Sequence, residues 1–247
     1  QEVQDIGILN LADHVVSISK SSDNLLVNKG LSNPHRSVIY NGLPTTPSAK
    51  SQLEDEHLLQ IRRLKKEGNK VLGIIGTVDA RKNQSLVLEA LSSLPRDLEI
   101  NAFFIGEGQD LDSYRQKAED LGLSKRVTFT GYKARARFFI SEFDMLVSAS
   151  RSEGATPLAV LEAFADKTLV LAADTPENKE AVEDSQNGVL FRSEDASDLC
   201  EKMESCLLNE DDGRITASAH ELFRKRYLFE KTCENYLKLY ELQRNKR

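Results

Sequence analysis

Two basic residues stand just before a predicted helix, at the exit of an apolar run. The segment from Gly76 to Gln84 has the sequence GTVDARKNQ and places Arg81 and Lys82 ahead of the helix expected at 83–94. The amino end of a helix favours anions because its first N–H groups have no partners within the helix. These residues predict a site for a phosphate-bearing ligand. Loop charges that meet only solvent are the alternative.

Two glutamates flank a small turn in the sequence SRSEGATPLAVLEAF. Glu153 follows an apolar run, and Glu162 lies within the next predicted helix. Carboxylates suit polyols because they accept directed hydrogen bonds from adjacent hydroxyl groups. Residues 154–156 between them offer backbone N–H groups to an anion. The pattern indicates a ligand with both hydroxyl groups and negative charge. A loop charge and an ordinary helix-surface residue are the alternatives.

Two other polar segments are weaker candidates. Tyr132 and Lys133, in GYKARAR, supply a ring and a charge that could hold a base or a phosphate, or face solvent. Asp110 and Asp112 form a D-x-D pattern of the kind that can hold a divalent cation. Their place at a helix start explains them without a metal, through N-capping and the helix dipole.

Composition excludes several classes of protein. The 247 residues carry a net charge of −6, with a pI near 5.4, which argues against nucleic acid as the main partner. The chain can bury a full core without disulfides. Its three cysteines have neither C-x-x-C spacing nor a His cluster nearby, so zinc and redox sites lack support.

Targeting signals are also lacking. No apolar run reaches the ~18 residues of a spanning helix, and the first residues are not signal-like. We therefore expect a cytoplasmic protein. Its start at Gln1 suggests a cut made by processing, cloning or truncation. The cluster Arg224–Arg226 and the tail residues Arg244, Lys246 and Arg247 could touch an anionic membrane, with solvated helix faces as the alternative.

The elements that must position these residues follow a regular alternation. From residue 71, short apolar runs alternate with helical patterns, which predicts an α/β fold with a doubly wound, parallel, six-stranded Rossmann-like sheet. In such sheets ligands bind beyond the carboxyl ends of the strands. Strands are expected at 71–78, 99–106, 126–132, 144–150, 168–174 and 188–192. Helices are expected at 83–94, 110–121, 135–142, 156–166 and 177–184, with three more after residue 193.

Local signals refine the ends of these elements. Thr156 before Pro157 predicts an N-cap, and Asp195 could cap the next helix. Residues 1–45 contain two strand patterns and one helix ending at Gly30, too few to make a core alone. The stretch 43–52 resembles a linker and precedes a helix at 53–67.

Five segments, in order, resemble the nucleotide-sugar half of a family-four retaining glycosyltransferase with the two-domain GT-B fold. They are ADHVVSISKSS through VIYNGLP, GTVDARKNQ, FFIGEGQDLDSYRQKAEDLGLSKRVTFTGY, SRSEGATPLAVLEAF and DTPENKEAVEDSQNGVLF. The resemblance implies a remnant of an acceptor-side domain at 1–45, a linker and helix at 46–68, a nucleotide-sugar-binding domain at 69–228 and a crossover helix at 229–247.

The same resemblance implies roles for individual residues. Lys82, helped by Arg81, would neutralise the donor diphosphate. Glu162 would hold the ribose hydroxyls, and Glu153 would contact the donor sugar. The other implied contacts are Gly76 and Thr77 in the phosphate loop, backbone donors at Gly154, Ala155 and Thr156, the base border at Tyr132 and Lys133, and, more weakly, Glu180 on the sugar or phosphate side.

Three positions depart from the family pattern. Thr77 stands where many members have Arg directly after the glycine. Eight residues separate Glu153 from Glu162, where the usual spacing is seven. Asp166 and Lys167 replace the small turn common after the signature helix.

The implied activity is retaining transfer of a sugar from a UDP- or GDP-sugar to the hydroxyl of a saccharide or lipid-linked acceptor, without a metal or cofactor. With most of the acceptor domain missing, the isolated chain should bind donor weakly and transfer little. A noncatalytic nucleotide-sugar-binding subunit is the main alternative. A phosphorylase or epimerase of the same architecture is another, although no lysine has the context for pyridoxal phosphate. A doubly wound domain with an unrelated ligand is the last.

Overall fold

The computed structural model describes residues 2–45, 54–208 and 213–245. Its strands are β1 (Val15–Ser17), β2 (Arg36–Val38), β3 (Lys70–Ile75), β4 (Ile100–Ile105), β5 (Val127–Gly131), β6 (Met145–Ser148), β7 (Leu169–Ala173) and β8 (Val189–Phe191). Its helices are α1 (Glu2–Asn10), α2 (Lys20–Asn28), α3 (Glu56–Lys66), α4 (Gln84–Ser93), α5 (Leu111–Asp120), α6 (Arg137–Ile140), α7 (Leu158–Asp166), α8 (Pro176–Lys179), α9 (Ala196–Leu208), α10 (Arg214–Arg226) and α11 (Phe229–Arg244).

Six parallel strands form the main sheet, in the order β5-β4-β3-β6-β7-β8. The predicted doubly wound sheet is confirmed. The order of strands reverses between β3 and β6, and crevices for ligands open at such switch points. Every residue of β6 and β7 is buried, because helices cover the sheet on both faces.

The register brings strand ends together at one edge. Ile75, the last residue of β3, pairs with Ile105, the last residue of β4. Ser148, at the end of β6, pairs with Ala172 of β7. The loops that leave these strands are therefore neighbours, although up to a hundred residues separate them along the chain.

Alternate residues of the strands enter two separate cores. On β3, Val71 belongs to the core formed with α3, α7 and α10, whereas Leu72 belongs to the core formed with α4 and α9. This is the two-residue period of a strand. Fully buried side chains such as Phe164 and Phe223 stabilise the fold by roughly 1.5–3 kcal/mol each through loss of apolar surface.

Residues 2–45 add a second, two-stranded parallel sheet, β1-β2, flanked by α1 and α2. Helix α1 was not predicted, because Gly7 interrupts a segment without helical apolar periodicity. The end of this segment pairs with the connection between α10 and α11. The Leu43 N–H donates to the Tyr227 carbonyl at 2.9 Å, and the Phe229 N–H donates to the Leu43 carbonyl at 3.0 Å.

Several predicted boundaries change. The helix expected at 177–184 is only α8, and the helix expected at 135–142 is only α6. Pro157, not Thr156, occupies the N-cap position of α7, since its backbone is still extended there. The Asp195 cap is confirmed, because its carboxylate accepts from the Asp198 N–H at 2.9 Å.

The linker prediction lies partly outside the described residues, at 46–53. Helix α3 begins at Glu56, where the Asp55 carboxylate accepts from the His57 N–H at 2.9 Å. The domain boundaries at residues 45, 68 and 228 stay a prediction. In the described part of the chain, no helix is long and apolar enough to cross a membrane.

Candidate functional site

A cavity of about 570 Å³ opens at the carboxyl ends of β3 and β6, where the strand order reverses. Three of the side chains singled out from sequence, Lys82, Glu153 and Glu162, line it. Gly76 and the turn 154–156 also line it. One crevice thus brings together a cation, two carboxylates and a backbone turn, which can bind a ligand that carries both anionic and hydroxyl groups.

The loop after β3 is held in shape by its own polar groups. The Asp79 carboxylate accepts from the Lys82 N–H at 2.8 Å, and the Gln84 side-chain amide donates to the Thr77 carbonyl at 2.8 Å. From the loop after β6, the Arg151 guanidinium donates to the Ala80 carbonyl at 2.7 Å. These bonds present the Lys82 side chain at the rim of the cavity.

Two glycines permit the close approach of this loop to its neighbours. Gly76 has φ +147°, and a Cβ there would lie 3.0 Å from Lys82 Cε. Gly106, at the end of β4, has φ +146°, and a Cβ there would collide with the Gly76 carbonyl oxygen. Both backbone conformations are strained for L side chains. The glycines therefore allow Lys82 to lie against the strand ends.

Glu153 connects the two basic residues. Its Oε2 accepts from Arg81 Nη1 at 2.8 Å, and its Oε1 accepts from Lys82 Nζ. Ser150 Oγ also donates to Oε1, at 2.6 Å. Arg81 reaches the site only through this ion pair, because it does not line the cavity itself.

Glu162 projects from α7 into the same cavity and is partly buried. Burial raises the pKa of its carboxyl group above the usual range, and the nearby Asp166 raises it further, against the opposing charge of Arg137. Removal from water disfavours the ionised form of this carboxyl group.

Thr77, Tyr132 and Lys133, like Arg81, lie outside the lining residues. Thr77 is exposed and contributes only its carbonyl, to Gln84. Tyr132 is 69% exposed. Lys133 donates to the Asp55 carboxylate at 2.8 Å and so stabilises the start of α3. A base-binding role for Tyr132 and Lys133 stays a prediction, and the structure gives Lys133 another partner.

Glu180 does not line the cavity and has a different partner. Its carboxylate accepts from the Lys20 N–H at 2.5 Å, the Ser21 N–H at 3.1 Å and the Ser21 hydroxyl at 3.0 Å. Burial works to raise its pKa, but these hydrogen bonds outweigh burial and lower the pKa. Glu180 thus holds the start of α2 against the main domain, beside Ile18 in the cavity wall.

The cavity residues that sequence reasoning did not single out include Ile18, Asn41, Gln84 and Ser150. Ser150 had a usable signal, because it is a small polar residue directly after a buried strand and three positions before Glu153. Ile18 and Asn41 had none, since only the tertiary fold brings residues 2–45 to this edge.

The D-x-D pattern is divided between two structural roles. Asp110 is the N-cap residue of α5, but its side chain makes no capping hydrogen bond, contrary to the explanation from capping. Asp112 pairs with Arg115 at 3.1 Å. Within residues 2–45, 54–208 and 213–245, no group of three or more His, Cys, Asp or Glu side chains is placed to hold a metal ion.

The basic cluster near the carboxyl end is already partnered in part. The Arg226 guanidinium lies 3.8 Å from the centre of the Tyr40 ring, and Lys225 pairs with Glu221 at 2.6 Å. Arg226 therefore contacts a tyrosine ring, whereas the alternative from sequence placed it on a solvated helix face. Lys246 and Arg247 lie outside the described residues.

Sequence comparison gives two informative relatives. The putative glycosyltransferase EpsD of Bacillus subtilis is 28% identical over 182 residues, which are 70% of this chain and 46% of EpsD. The alpha-monoglucosyldiacylglycerol synthase of Streptococcus pneumoniae is 27% identical over 235 residues, which are 93% of this chain and 51% of the synthase. The chain therefore spans about half the length of these relatives.

Structural comparison finds the same architecture. HepE of Anabaena, solved in complex with UDP, superposes with a TM-score of 0.84 at 22% identity, over 96% of this chain and 66% of HepE. TarM of Staphylococcus aureus, in a complex that contains UDP, gives a TM-score of 0.79 at 21% identity, over 95% of this chain and 45% of TarM. These likenesses confirm the GT-B fold.

The sequence profile described as "Glycosyl transferases group 1" matches residues 57–221, which include β3, β6 and most of the residues that line the cavity. The segments that resembled a glycosyltransferase in the sequence fall within or beside this match. The chain belongs to the group 1 family of glycosyl transferases.

Proposed function

We propose that this chain supplies the donor site of an enzyme that transfers a sugar from a nucleoside diphosphate sugar to an acceptor hydroxyl, with retention of the anomeric configuration. One observation carries the proposal: Lys82, Glu153 and Glu162 line a single cavity at the switch point of the sheet. A nucleoside diphosphate sugar has the two kinds of group that this cavity can bind, a charged diphosphate and several hydroxyl groups.

The cations act on the leaving group. As the bond to the sugar breaks, negative charge grows on the diphosphate, and an enzyme accelerates the step by stabilising that charge more than it stabilises the ground state. Lys82 lines the cavity where this charge would develop, and Arg81 is joined to the site through its ion pair with Glu153. The amides of Gly154 and Ala155 add donors without charge. We propose that these groups suffice without a metal ion.

The carboxyl groups orient the donor. Glu162, on a regular helix, would accept from the ribose hydroxyls, and Glu153, in the turn after β6, would contact the transferred sugar. Fixed hydrogen bonds of this kind hold the reacting carbon in place and reduce the entropic cost of reaction. A donor with a UDP or GDP moiety is the proposed substrate, and HepE and TarM are solved with UDP.

The acceptor would come from elsewhere. We propose a saccharide or lipid-linked hydroxyl, bound by the acceptor-side domain of which residues 1–45 form a part, in a protein that works in the cytoplasm at the inner face of the membrane. The name of the pneumococcal relative states a glucosyl lipid as that protein's product. This chain alone should bind donor and transfer little.

A thermal-shift screen tests the proposal directly. The chain is heated with UDP-, GDP- and ADP-sugars, each in turn. A ligand at a hundred times its dissociation constant adds roughly 2.7 kcal/mol of stability, which raises Tm by several degrees. We expect one nucleotide series to raise Tm, and the Lys82→Met variant to lose the shift. An unchanged Tm across the whole panel would contradict the proposal.

A complementation assay separates the enzyme from its alternative. When an acceptor-side domain is joined to the same polypeptide, transfer should appear with a matched acceptor. Activity that needs a second, separate chain would instead favour a noncatalytic nucleotide-sugar-binding subunit.

A further inference from the structure

Both proposed phosphate cations are held by one carboxylate. Arg81 and Lys82 each donate to Glu153, one to each oxygen. The side chains of Glu153 and Lys82 keep only 10% and 19% of their exposure, so water screens this pair less than it screens a surface pair. The two cations thus have an internal anionic partner within the cavity.

A diphosphate in this cavity would compete for the same cations. Phosphate and carboxylate oxygens are both acceptors for Lys82 Nζ and the Arg81 guanidinium. Their negative charges also repel each other at contact distance. A bound diphosphate and the complete Glu153 ion pair therefore oppose each other.

Ser150 provides the carboxylate with a partner that does not follow the phosphate. Its hydroxyl donates to Glu153 Oε1 at 2.6 Å, from a residue that is 2% exposed and lies two positions after β6. A neutral donor fixed by the strand has no net attraction for a diphosphate. When the cations turn to another anion, Ser150 can keep Glu153 oriented toward the cavity.

From these contacts we propose that Glu153 is an exchangeable internal anion. It pairs with Lys82 and Arg81 before the donor binds, yields them to the diphosphate, and takes them back as the nucleoside diphosphate leaves. The inference rests on the proposed function and adds a second role for Glu153, which weakens product binding and accelerates product release. No covalent bond forms or breaks in this exchange.

Calorimetric titration of UDP, GDP and ADP into the chain tests the exchange. Glu153→Gln keeps the size and one acceptor oxygen but removes the charge. We expect it to bind the nucleotide that the chain prefers roughly tenfold more tightly, in the range of couplings measured for close charge pairs. Glu194→Gln is the matched control, because Glu194 pairs with Arg151 of the same loop at 3.2 Å and does not hold Lys82 or Arg81. The affinity of the Glu194→Gln variant for the same nucleotide should change less than twofold.

A double variant separates exchange from a general electrostatic effect. In the Lys82→Met background, adding Glu153→Gln should improve affinity less than threefold, because the main contested cation is gone. Unchanged or weaker binding by Glu153→Gln alone would overturn the inference, and so would a tenfold gain that persists without Lys82. If the unaltered chain binds none of the three nucleotides, the proposed function fails, and this inference fails with it.

Discussion

Two neighbouring strands of the sheet, β6 and β7, are each followed by a glutamate, and the two carboxylates have different partners. Glu153, after β6, contacts the side chains of Arg81 and of Lys82, which lines the cavity. Glu180, after β7, accepts from backbone N–H groups of α2, which no ligand would displace. The comparison indicates that partner type, more than position at the sheet edge, separates a ligand-binding acid from a structural one.

The largest expected effect lies in the group of residues around Glu153. Lys82→Met should lower the affinity for the preferred nucleoside diphosphate by roughly a hundredfold, because a charged hydrogen bond to the diphosphate is worth ~3 kcal/mol. Lys179→Met is the control, since Lys179 pairs with Asp174 after β7 at 3.1 Å. Calorimetry measures both. Equal losses of affinity in the two variants would remove the distinction between the region around Glu153 and the region after β7.

Replacing Glu180 should act on stability instead. Glu180→Gln should lower the free energy of unfolding by about 2 kcal/mol, because charged hydrogen bonds to the start of α2 are weakened. Since the folded-state pKa of Glu180 is lowered, the stabilisation is present above the unfolded pKa and lost as pH falls through the folded pKa. Urea denaturation from neutral to acidic pH should show the variant and the unaltered chain converge. A constant difference at all pH values would argue against the ionised cap.

A smaller effect is expected at Ser150. Ser150→Ala removes one hydrogen bond from a neutral hydroxyl to the Glu153 carboxylate, worth roughly 1.5 kcal/mol, or about tenfold in affinity. The loss should appear for the nucleotide sugar and not for the nucleotide alone, because Glu153 is proposed to contact the sugar. Paired titrations with the two ligands measure the difference. Equal losses for both ligands would indicate a general disturbance of the cavity.

The smallest effect is expected for Glu162→Gln. The prediction concerns the sign of its effect on stability as pH changes. Burial raises the folded-state pKa of Glu162, so this carboxyl group favours folding at acidic pH and loses that contribution as pH rises through the folded pKa. Glu162→Gln should therefore gain stability relative to the unaltered chain as pH rises from 4 to 7, while it loses affinity for the ribose. Thermal unfolding at each pH measures the trend. A variant that loses relative stability toward neutral pH would contradict it.

The central part of the site followed from sequence because parallel strands place their carboxyl ends at one edge. Gly76 through Lys82 and the turn around Glu153 are each read directly after an apolar run, so their meeting required only the correct sheet. The six-stranded order is also a common solution for alternating strands and helices.

The roles of other residues could not be predicted, because they depend on contacts that leave no local pattern in the sequence. Glu180 stands 160 residues from Lys20 and meets a backbone N–H group, which no sequence displays. Thr156 has the residue type of a cap, but the turn around it keeps Pro157 extended, and α7 starts at Leu158. Lys133 resembles a ligand-binding cation, yet Asp55 of α3 neutralises it. For Glu180 and Lys133 a tertiary partner decided the role, and for Thr156 the local turn did.

The most direct test is a crystal structure of the chain grown with the nucleoside diphosphate sugar that gives the largest thermal shift. The account predicts diphosphate oxygens within hydrogen-bond distance of Lys82 Nζ, hydroxyl groups beside Glu162, and the Lys82 contact to Glu153 broken. A nucleotide bound in a different crevice, with Lys82 still on Glu153, would contradict it.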